Sequence, residues 1–295
     1  MDSAVAVLSE SGFRTVDCRG SRSSFDILAK RGEMLLLVKA LANVEGLSRE
    51  GVSELKALAS FLGGVPVIVS ERMKTSELAD GTVHDRYGVY ASNLKTFSHL
   101  INGDAPRVYS TRGNYCVHVN SKLLSDARHR QGLTQEMLAD RLGVSKQSVY
   151  RYEAYGRVSL DVFQRFAELF KDELVEDEFR LRFKNMSEGD FQRHPQTKFK
   201  RMVCRELEEM GFNTTLTNAP FDLIASQEER VFSVVSNDWR RLHYKLSVLE
   251  ELTDLLGGYR LCVSERKVKG KISVLSPEEL AQIRSPRELF KLLSD

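Results

Sequence analysis

The two ends of the chain carry the same succession of short motifs, in the same order and at nearly the same spacing. Near the start SGFRTV, FDILAK and LASFLGG lead to VSER, and near the end MGFNTT, FDLIAS and LTDLLGG also lead to VSER. The interval from Phe25 to Gly63 is 38 positions, and the interval from Phe221 to Gly257 is 36. Self-similarity of this kind indicates a duplicated structural unit. The sequence therefore predicts two related domains on either side of an unrelated insert.

Each copy has the pattern of a small α/β domain, with the order helix, strand, strand, helix, strand. FDILA and MLLLVKAL lack the polar alternation of a half-exposed strand, so we expect these strands to be buried on both faces. Between Ser48 and Leu62 apolar residues recur at helical spacing, and Gly63-Gly64 then ends the helix. We predict α/β domains over residues 1–103 and 197–295, with a connector over 176–196.

The insert, residues 104–175, contains four short helical patterns. The second opens at Thr134, the third follows Ser145, and the fourth runs from Leu160 to Phe170, while Gly143 permits a turn between the second and third. Two helices joined by a Gly-containing turn, with a polar second helix, are typical of proteins that read the major groove. The same geometry also serves protein–protein contact. The preceding stretch, 103–120, is either a hairpin or a linker with one short strand.

The segment LTQEMLADRLGVSKQSVYRYE resembles the helix-turn-helix of the Cro/phage-repressor family, the xenobiotic-response-element type. The resemblance implies that Gln135 contacts a phosphate and that residues of the third helix face base edges. The full set of predicted DNA-binding residues is Gln135, Ser145, Lys146, Gln147, Ser148, Tyr150 and Arg151. The resemblance also implies an interior ion pair between Arg128 and Glu153, and two solvated surface charges are the alternative. After Glu153 the sequence AYGRVS departs from the family pattern, which leaves the start of the fourth helix open.

The flanking copies resemble the PD-(D/E)xK nuclease fold, which is the restriction-endonuclease-like fold. Asp26 and Lys39 match the first acid and the lysine of that motif, but the second acid is replaced by Leu37. The C-terminal copy keeps Asp222, and its second strand, VFSVVSN, supplies neither partner. One carboxylate is a poor Mg²⁺ site because the ion gives up its water reluctantly. We predict catalytically inactive domains without metal or cofactor. The alternative is a metal-dependent DNA nuclease that uses Asp26 and Lys39 and is guided by the helix-turn-helix.

The whole arrangement resembles a group of archaeal helix-turn-helix-type transcriptional regulatory proteins. The resemblance rests on GLTQEMLADRLGVSKQSVYRYE together with FDILAK, LLLVKAL and GLSREGVSELKALASFLGG. It implies a sequence-specific regulator that binds double-stranded DNA, and because one motif contacts one half-site, we predict a homodimer. No membrane span is expected, since no stretch of 18 uncharged apolar residues occurs. The acidic start and the four isolated cysteines predict a cytoplasmic location.

Overall fold

The computed structural model describes residues 2–19, 23–104, 106, 108–111, 114–170, 197–265 and 272–294. These residues form two compact units. One unit contains the described residues up to 40, residues 47–66 and the C-terminal part from 197, and the other contains residues 41–46 and the described part of 67–170. The predicted connector, 176–196, lies outside the described residues. The predicted domain limits, and the placement of the helix-turn-helix between two α/β domains, stay predictions.

Eleven α-helices and one 3-10 turn, Val44–Gly46, occur in the described residues. The helices are α1 (Asp2–Glu10), α2 (Arg49–Leu62), α3 (Leu94–Ile101), α4 (Ser121–Arg130), α5 (Gln135–Leu142), α6 (Lys146–Tyr155), α7 (Leu160–Phe170), α8 (Lys198–Glu209), α9 (Trp239–Leu256), α10 (Pro277–Leu280) and α11 (Pro286–Ser294). None of these described helices is both long and apolar enough to cross a membrane.

Fifteen strands occur in the same residues. They are β1 (Arg14–Asp17), β2 (Ile27–Arg31), β3 (Met34–Asn43), β4 (Val65–Met73), β5 (Ser76–Glu77), β6 (Thr82–Arg86), β7 (Val89–Ser92), β8 (Val108–Thr111), β9 (Asn114–His118), β10 (Arg157–Ser159), β11 (Asn213–Leu216), β12 (Leu223–Ser226), β13 (Arg230–Val235), β14 (Tyr259–Val263) and β15 (Val274–Leu275).

The N-terminal copy forms its hairpins where the apolar runs predict strands. β1, β2 and β3 pair antiparallel in that order, and Ile27 lies opposite Val38. The central residues of β2 and β3 are fully buried, as expected for strands covered on both faces. α2 is capped by the Ser48 hydroxyl, which accepts the amide hydrogen of Gly51, and it ends at the left-handed Gly63. The predicted limits of this helix are therefore confirmed.

The C-terminal copy has the same strand order. β11, β12 and β13 pair antiparallel, β14 and β15 continue the sheet in parallel, and Leu223 lies opposite Ser233. The amide of Asp26 donates to the Val38 carbonyl over 2.8 Å, and the amide of Asp222 donates to the Ser233 carbonyl over the same distance. These matching hydrogen bonds support the predicted duplication.

The two copies contact each other within one compact unit of a single chain. The amide and the hydroxyl of Ser24 both donate to the carbonyl of Asn218, over 2.6 and 3.2 Å. The Glu54 carboxylate accepts one hydrogen bond from the Ser24 hydroxyl and another from the Asn218 side-chain amide, each over 3.0 Å. Lys30 Nζ donates to the Leu255 carbonyl over 3.2 Å. The groups that make these hydrogen bonds are backbone, hydroxyl, amide and charged atoms.

The helix-turn-helix segment has an apolar core of its own, built from α4 to α7 and the strands beside them. Leu124, Leu138, Val149 and Phe166 are completely buried at its centre. α5 and α6 begin at the predicted caps, because the hydroxyls of Thr134 and Ser145 accept hydrogen bonds from the first turns of the two helices. The predicted fourth helix, 160–170, is confirmed as α7.

The stretch before this segment forms the hairpin β8–β9, in which Tyr109 lies opposite Cys116. β10 adds to this hairpin, with Val158 opposite Val117. β10 corresponds to the part of the sequence that departs from the Cro pattern. The chain leaves α6 at Gly156 and pairs as a strand before α7 begins.

Arg128 and Glu153 form a buried ion pair that joins α4 to α6. Arg128 Nε and Nη2 donate to the two Glu153 carboxylate oxygens over 2.6 and 3.2 Å, and Nη1 donates to the Leu133 carbonyl over 2.8 Å. The two side chains are only 8 and 9% exposed. The bidentate geometry fixes the spacing between the helices as well as neutralising both charges. The interior pair implied by the family resemblance is present, and the surface alternative is wrong.

Gly156 has a positive φ and also leaves no room for a side chain. A comparison with Gly132 separates the effects of these two constraints. Its φ is +64°, and a Cβ there would lie 2.4 Å from the Val119 carbonyl oxygen. Gly132 has a φ of +66° with nothing within 4 Å of the same position. We expect Gly132→Ala to lower the free energy of opening of residues 121–170 by about 1–2 kcal/mol, and Gly156→Ala to lower it further. Hydrogen exchange of peptides from this segment measures both values, and equal losses would contradict the steric argument.

The ion pair gives a second prediction. Removing one member leaves a buried charge without its partner, so Arg128→Ala or Glu153→Ala should destabilise the segment by about 3–5 kcal/mol. The double variant Arg128→Met with Glu153→Met removes both charges and should cost less than either single change. Hydrogen exchange of residues 121–170 compares the three variants. A double variant as unstable as the sum of the two singles would show that the charges do not act as a pair.

Candidate nucleic-acid interface

α6 is held at a fixed orientation by the residues of its inner side. Val149 is fully buried, and the Tyr152 ring packs edge-on against Phe166 with ring centres 6.1 Å apart. Burial raises the pKa of the Tyr152 hydroxyl, as expected for a ring inserted into the core. Glu153 ties the same side to α4. The helix therefore cannot rotate without breaking both apolar and ionic contacts.

The opposite side of α6 presents polar side chains to solvent. Lys146, Gln147, Tyr150 and Arg151 are all exposed, with Tyr150 at 58%. These positions are three and four residues apart, so they share one helix face. Lys146 Nζ lies 3.5 Å from the Glu136 carboxylate, but both side chains are more than 60% exposed, so this pair is weak. The four residues predicted to point outward do so.

Three other predicted contacts are engaged within the protein. Gln135 Nε2 donates to Glu153 Oε2 over 2.6 Å, so the buried ion pair orients this amide. The Ser145 hydroxyl accepts the Ser148 amide hydrogen over 3.1 Å, and the two hydroxyls lie 2.8 Å apart. These serines close the start of α6. Their role as DNA contacts, and the phosphate contact of Gln135, stay predictions.

An open depression borders this face, and the sequence predicted only part of its lining. Its volume is about 590 Å³, and it is lined by the last turn of α4, by the α4–α5 turn, by the start of α5 with Glu136, and by Lys146. Arg128, His129 and Arg130 end α4, and His129 and Arg130 are exposed. Cations are favourable at the C-terminal end of a helix, where the backbone carbonyls carry partial negative charge. The run RHR was the available signal, but only the fold places His129 and Lys146 around one depression.

Asp26 and Lys39 contact each other, as the nuclease resemblance implies, but Leu37 stands where the motif has its second acid. Lys39 Nζ donates to Asp26 Oδ1 over 3.0 Å and to the Ser23 carbonyl over 2.9 Å. Asp26 Oδ2 accepts the amide hydrogen of Ala40 over 2.8 Å. Leu37, at the second acid's position, is fully buried. Both carboxylate oxygens are therefore engaged with the chain itself.

The C-terminal copy keeps the carboxylate and supplies its cations from helices. Asp222 Oδ2 accepts the Val235 amide hydrogen over 3.0 Å, which matches the Asp26–Ala40 contact. Asp222 Oδ1 lies 2.7 Å from Lys200 Nζ on α8 and 2.8 Å from Lys245 Nζ on α9. In the described residues no three His, Cys, Asp or Glu side chains gather as a metal site would require. The sequence contains no local signal that pairs these lysines with Asp222.

The four cysteines are buried as free thiols. Burial raises the pKa of Cys18, and it raises the pKa of Cys262 to about 11, with the nearby Asp222 carboxylate adding to the rise. A thiol with a raised pKa stays protonated at neutral pH and is a poor nucleophile. The expectation that these are core residues is confirmed.

Comparison with known families assigns two segments. Residues 1–106 match the model of the PD-(D/E)XK superfamily domain, and residues 124–174 match the helix-turn-helix model. The second match covers α4 to α7 and includes the predicted reading helix. No solved structure matches the chain significantly.

Archaeal relatives match along nearly the whole chain. A protein of Pyrococcus abyssi, named "Putative HTH-type transcriptional regulatory protein", is 30% identical over 98% of this chain and 94% of its own length. Relatives of the same name from Thermococcus kodakarensis and Methanocaldococcus jannaschii are also 30% identical. The alignments cover 98 and 92% of this chain, and 92 and 88% of the relatives. The chain therefore belongs to this archaeal family of HTH-type transcriptional regulatory proteins.

Proposed function

We propose that this protein is a sequence-specific regulator of transcription that binds double-stranded DNA and reads the major groove with α6. The carrying observation is the exposed polar face of α6, whose opposite side is fixed by Val149 and by the Arg128–Glu153 pair. A preorganised helix pays little conformational entropy when it enters the groove. The names of the archaeal relatives support the same role.

The side chains of this face suit direct readout of bases. Arg151 can donate two hydrogen bonds to guanine, and Gln147 can pair its amide with adenine. Lys146, at the edge of the depression beside this face, supplies positive charge for phosphates. Gln135, Ser145, Ser148 and Tyr150 complete the proposed contact surface. The amide of Gln135 has a second hydrogen left for a phosphate after its bond to Glu153.

Two copies of the chain would provide two reading helices. A single helix of this kind covers one half-site, and half-sites lie about 34–36 Å apart on one side of the duplex. We therefore propose a homodimer on a palindromic operator, acting in the cytoplasm. In this proposal the α/β copies serve as a scaffold. The chain is not an enzyme and requires no cofactor.

The second candidate function is a metal-dependent nuclease, favoured by the family match of residues 1–106 and by the adjacent Asp26 and Lys39. The occupied oxygens of Asp26 speak against this function. Leu37 stands at the position of the second acid, and both oxygens of Asp26 already accept hydrogen bonds from the chain. A divalent ion would have to displace Lys39 and would gain one ligand.

Selection of bound sequences from random DNA should enrich a palindrome, and the enriched site allows a test of α6. Gln147→Ala and Arg151→Ala should each weaken binding to that site by about 1–3 kcal/mol and change binding to random DNA little. Arg205→Ala removes one positive charge, as Arg151→Ala does, but from the exposed surface of α8, and it serves as the control. Equal losses on both DNAs would show that α6 does not read bases. Binding with little salt dependence would favour a protein partner instead.

The nuclease alternative has a direct assay. Incubation with Mg²⁺ or Mn²⁺ should leave linear and branched DNA intact, because a centre with one carboxylate holds such ions poorly. Asp26→Ala should behave like the unmodified protein in this assay. Cleavage by the unmodified chain that Asp26→Ala abolishes would establish the nuclease and overturn the proposed absence of catalysis.

A further inference from the structure

We propose that the C-terminal copy contains a phosphate-binding site formed by Lys200 and Lys245, with Asp222 as the anchor that holds the two ammonium groups together. The contacts come from three elements: α8, α9 and the start of β12. Both lysines reach the same oxygen, Asp222 Oδ1, over 2.7 and 2.8 Å. This site is separate from the proposed reading helix and goes beyond the role proposed for it.

The charges of this cluster do not cancel. Asp222 carries one negative charge, its side chain is only 5% exposed, and its second oxygen is occupied by the Val235 amide. Two ammonium groups share the remaining oxygen, so the cluster has an excess positive charge. The N-terminal copy offers the comparison, because there Asp26 meets Lys39 alone and the Ser23 carbonyl takes a further hydrogen of that ammonium. One cation is enough to neutralise a carboxylate, so neutralisation of Asp222 does not account for the second lysine.

The lysines keep donors that Asp222 does not use. An ammonium group has three hydrogens, and each of these lysines donates one to Asp222. The side chains of Lys200 and Lys245 are 24 and 20% exposed, so both are partly accessible from outside. Two neighbouring ammonium groups held at fixed positions repel each other unless an anion lies between them. An additional anion would relieve this repulsion.

The surroundings raise the positive potential further. Lys198 and Arg201 lie in the first turn of α8 and are exposed. α8 has no acidic residue in its first turn, where the partial positive charge of a helix start favours acids.

Phosphate is the ligand that fits these donors. Its oxygens can accept from both ammonium groups at once, while Asp222 fixes the spacing between them. A divalent cation is disfavoured, because it would meet two positive charges for one carboxylate. The phosphate belongs either to a nucleic acid backbone or to a free phosphorylated compound, and the two sources can be separated experimentally.

The test uses the full chain and a duplex without the selected operator. Lys200→Gln and Lys245→Gln should each lower the affinity and reduce the slope of log affinity against log salt by about 0.9, the value for one lost phosphate contact. Asp222→Asn keeps the shape but removes the anion that holds the two ammonium groups together, so it should also lower the affinity. Lys291→Gln, an exposed lysine of α11, is the control for lost charge. Discrimination between operator and random DNA should stay unchanged, which separates this site from α6.

A second arm covers the free ligand. Inorganic phosphate is titrated into the protein while the ¹⁵N-labelled lysine ammonium signals are recorded, with Lys200→Gln and Lys245→Gln as references. Altered DNA binding in the first arm identifies a nucleic acid backbone. Saturable phosphate shifts of the two lysines, without altered DNA binding, identify a free phosphorylated compound. If neither arm responds and Asp222→Asn only lowers the melting temperature, the lysines serve solely to neutralise Asp222 and the proposal is wrong.

Discussion

The bidentate contact between Arg128 and Glu153 is the interaction on which the DNA-binding segment depends. It joins two helices, satisfies the Leu133 carbonyl in the turn between α4 and α5, and orients Gln135. All of these groups are polar and mostly buried, so each would cost free energy if it lost its partner. One interior pair therefore fixes α4, the following turn and α6 relative to each other. The exposed face of α6 is available for recognition because this pair and Val149 fix its other side.

The α/β copies hold their carboxylates in the same backbone geometry. Asp26 and Asp222 each accept an amide hydrogen from the neighbouring strand, at Ala40 and Val235. The cations differ, since a strand lysine neutralises Asp26 while two helix lysines surround Asp222. The same backbone geometry can thus support a balanced centre in one copy and a positive centre in the other.

Much of the local structure was predictable because local patterns determine it. Ser48 and Gly63 limit α2, and Leu160 and Phe170 limit α7, as periodicity and capping chemistry predict. The ion pair of Arg128 was predictable through the family resemblance. The strand β10 was not, because its pairing with β9 depends on residues about 40 positions earlier in the chain. The hydrogen bond from Gln135 to Glu153 was not predictable either, because packing decides which of two polar partners a side chain binds.

The sequence by itself determined the elements, their order, the duplication signal and the polar face of the third helix, because these follow from short-range periodicity, caps and turns. Only the tertiary structure decided which charges meet Asp222. Lys200 and Lys245 lie 22 and 23 positions from Asp222, on opposite sides of it in the chain, and nothing in their local sequence marks them as partners. Electrostatic contacts act through space, so the distance between two charges is set by how helices pack on a sheet.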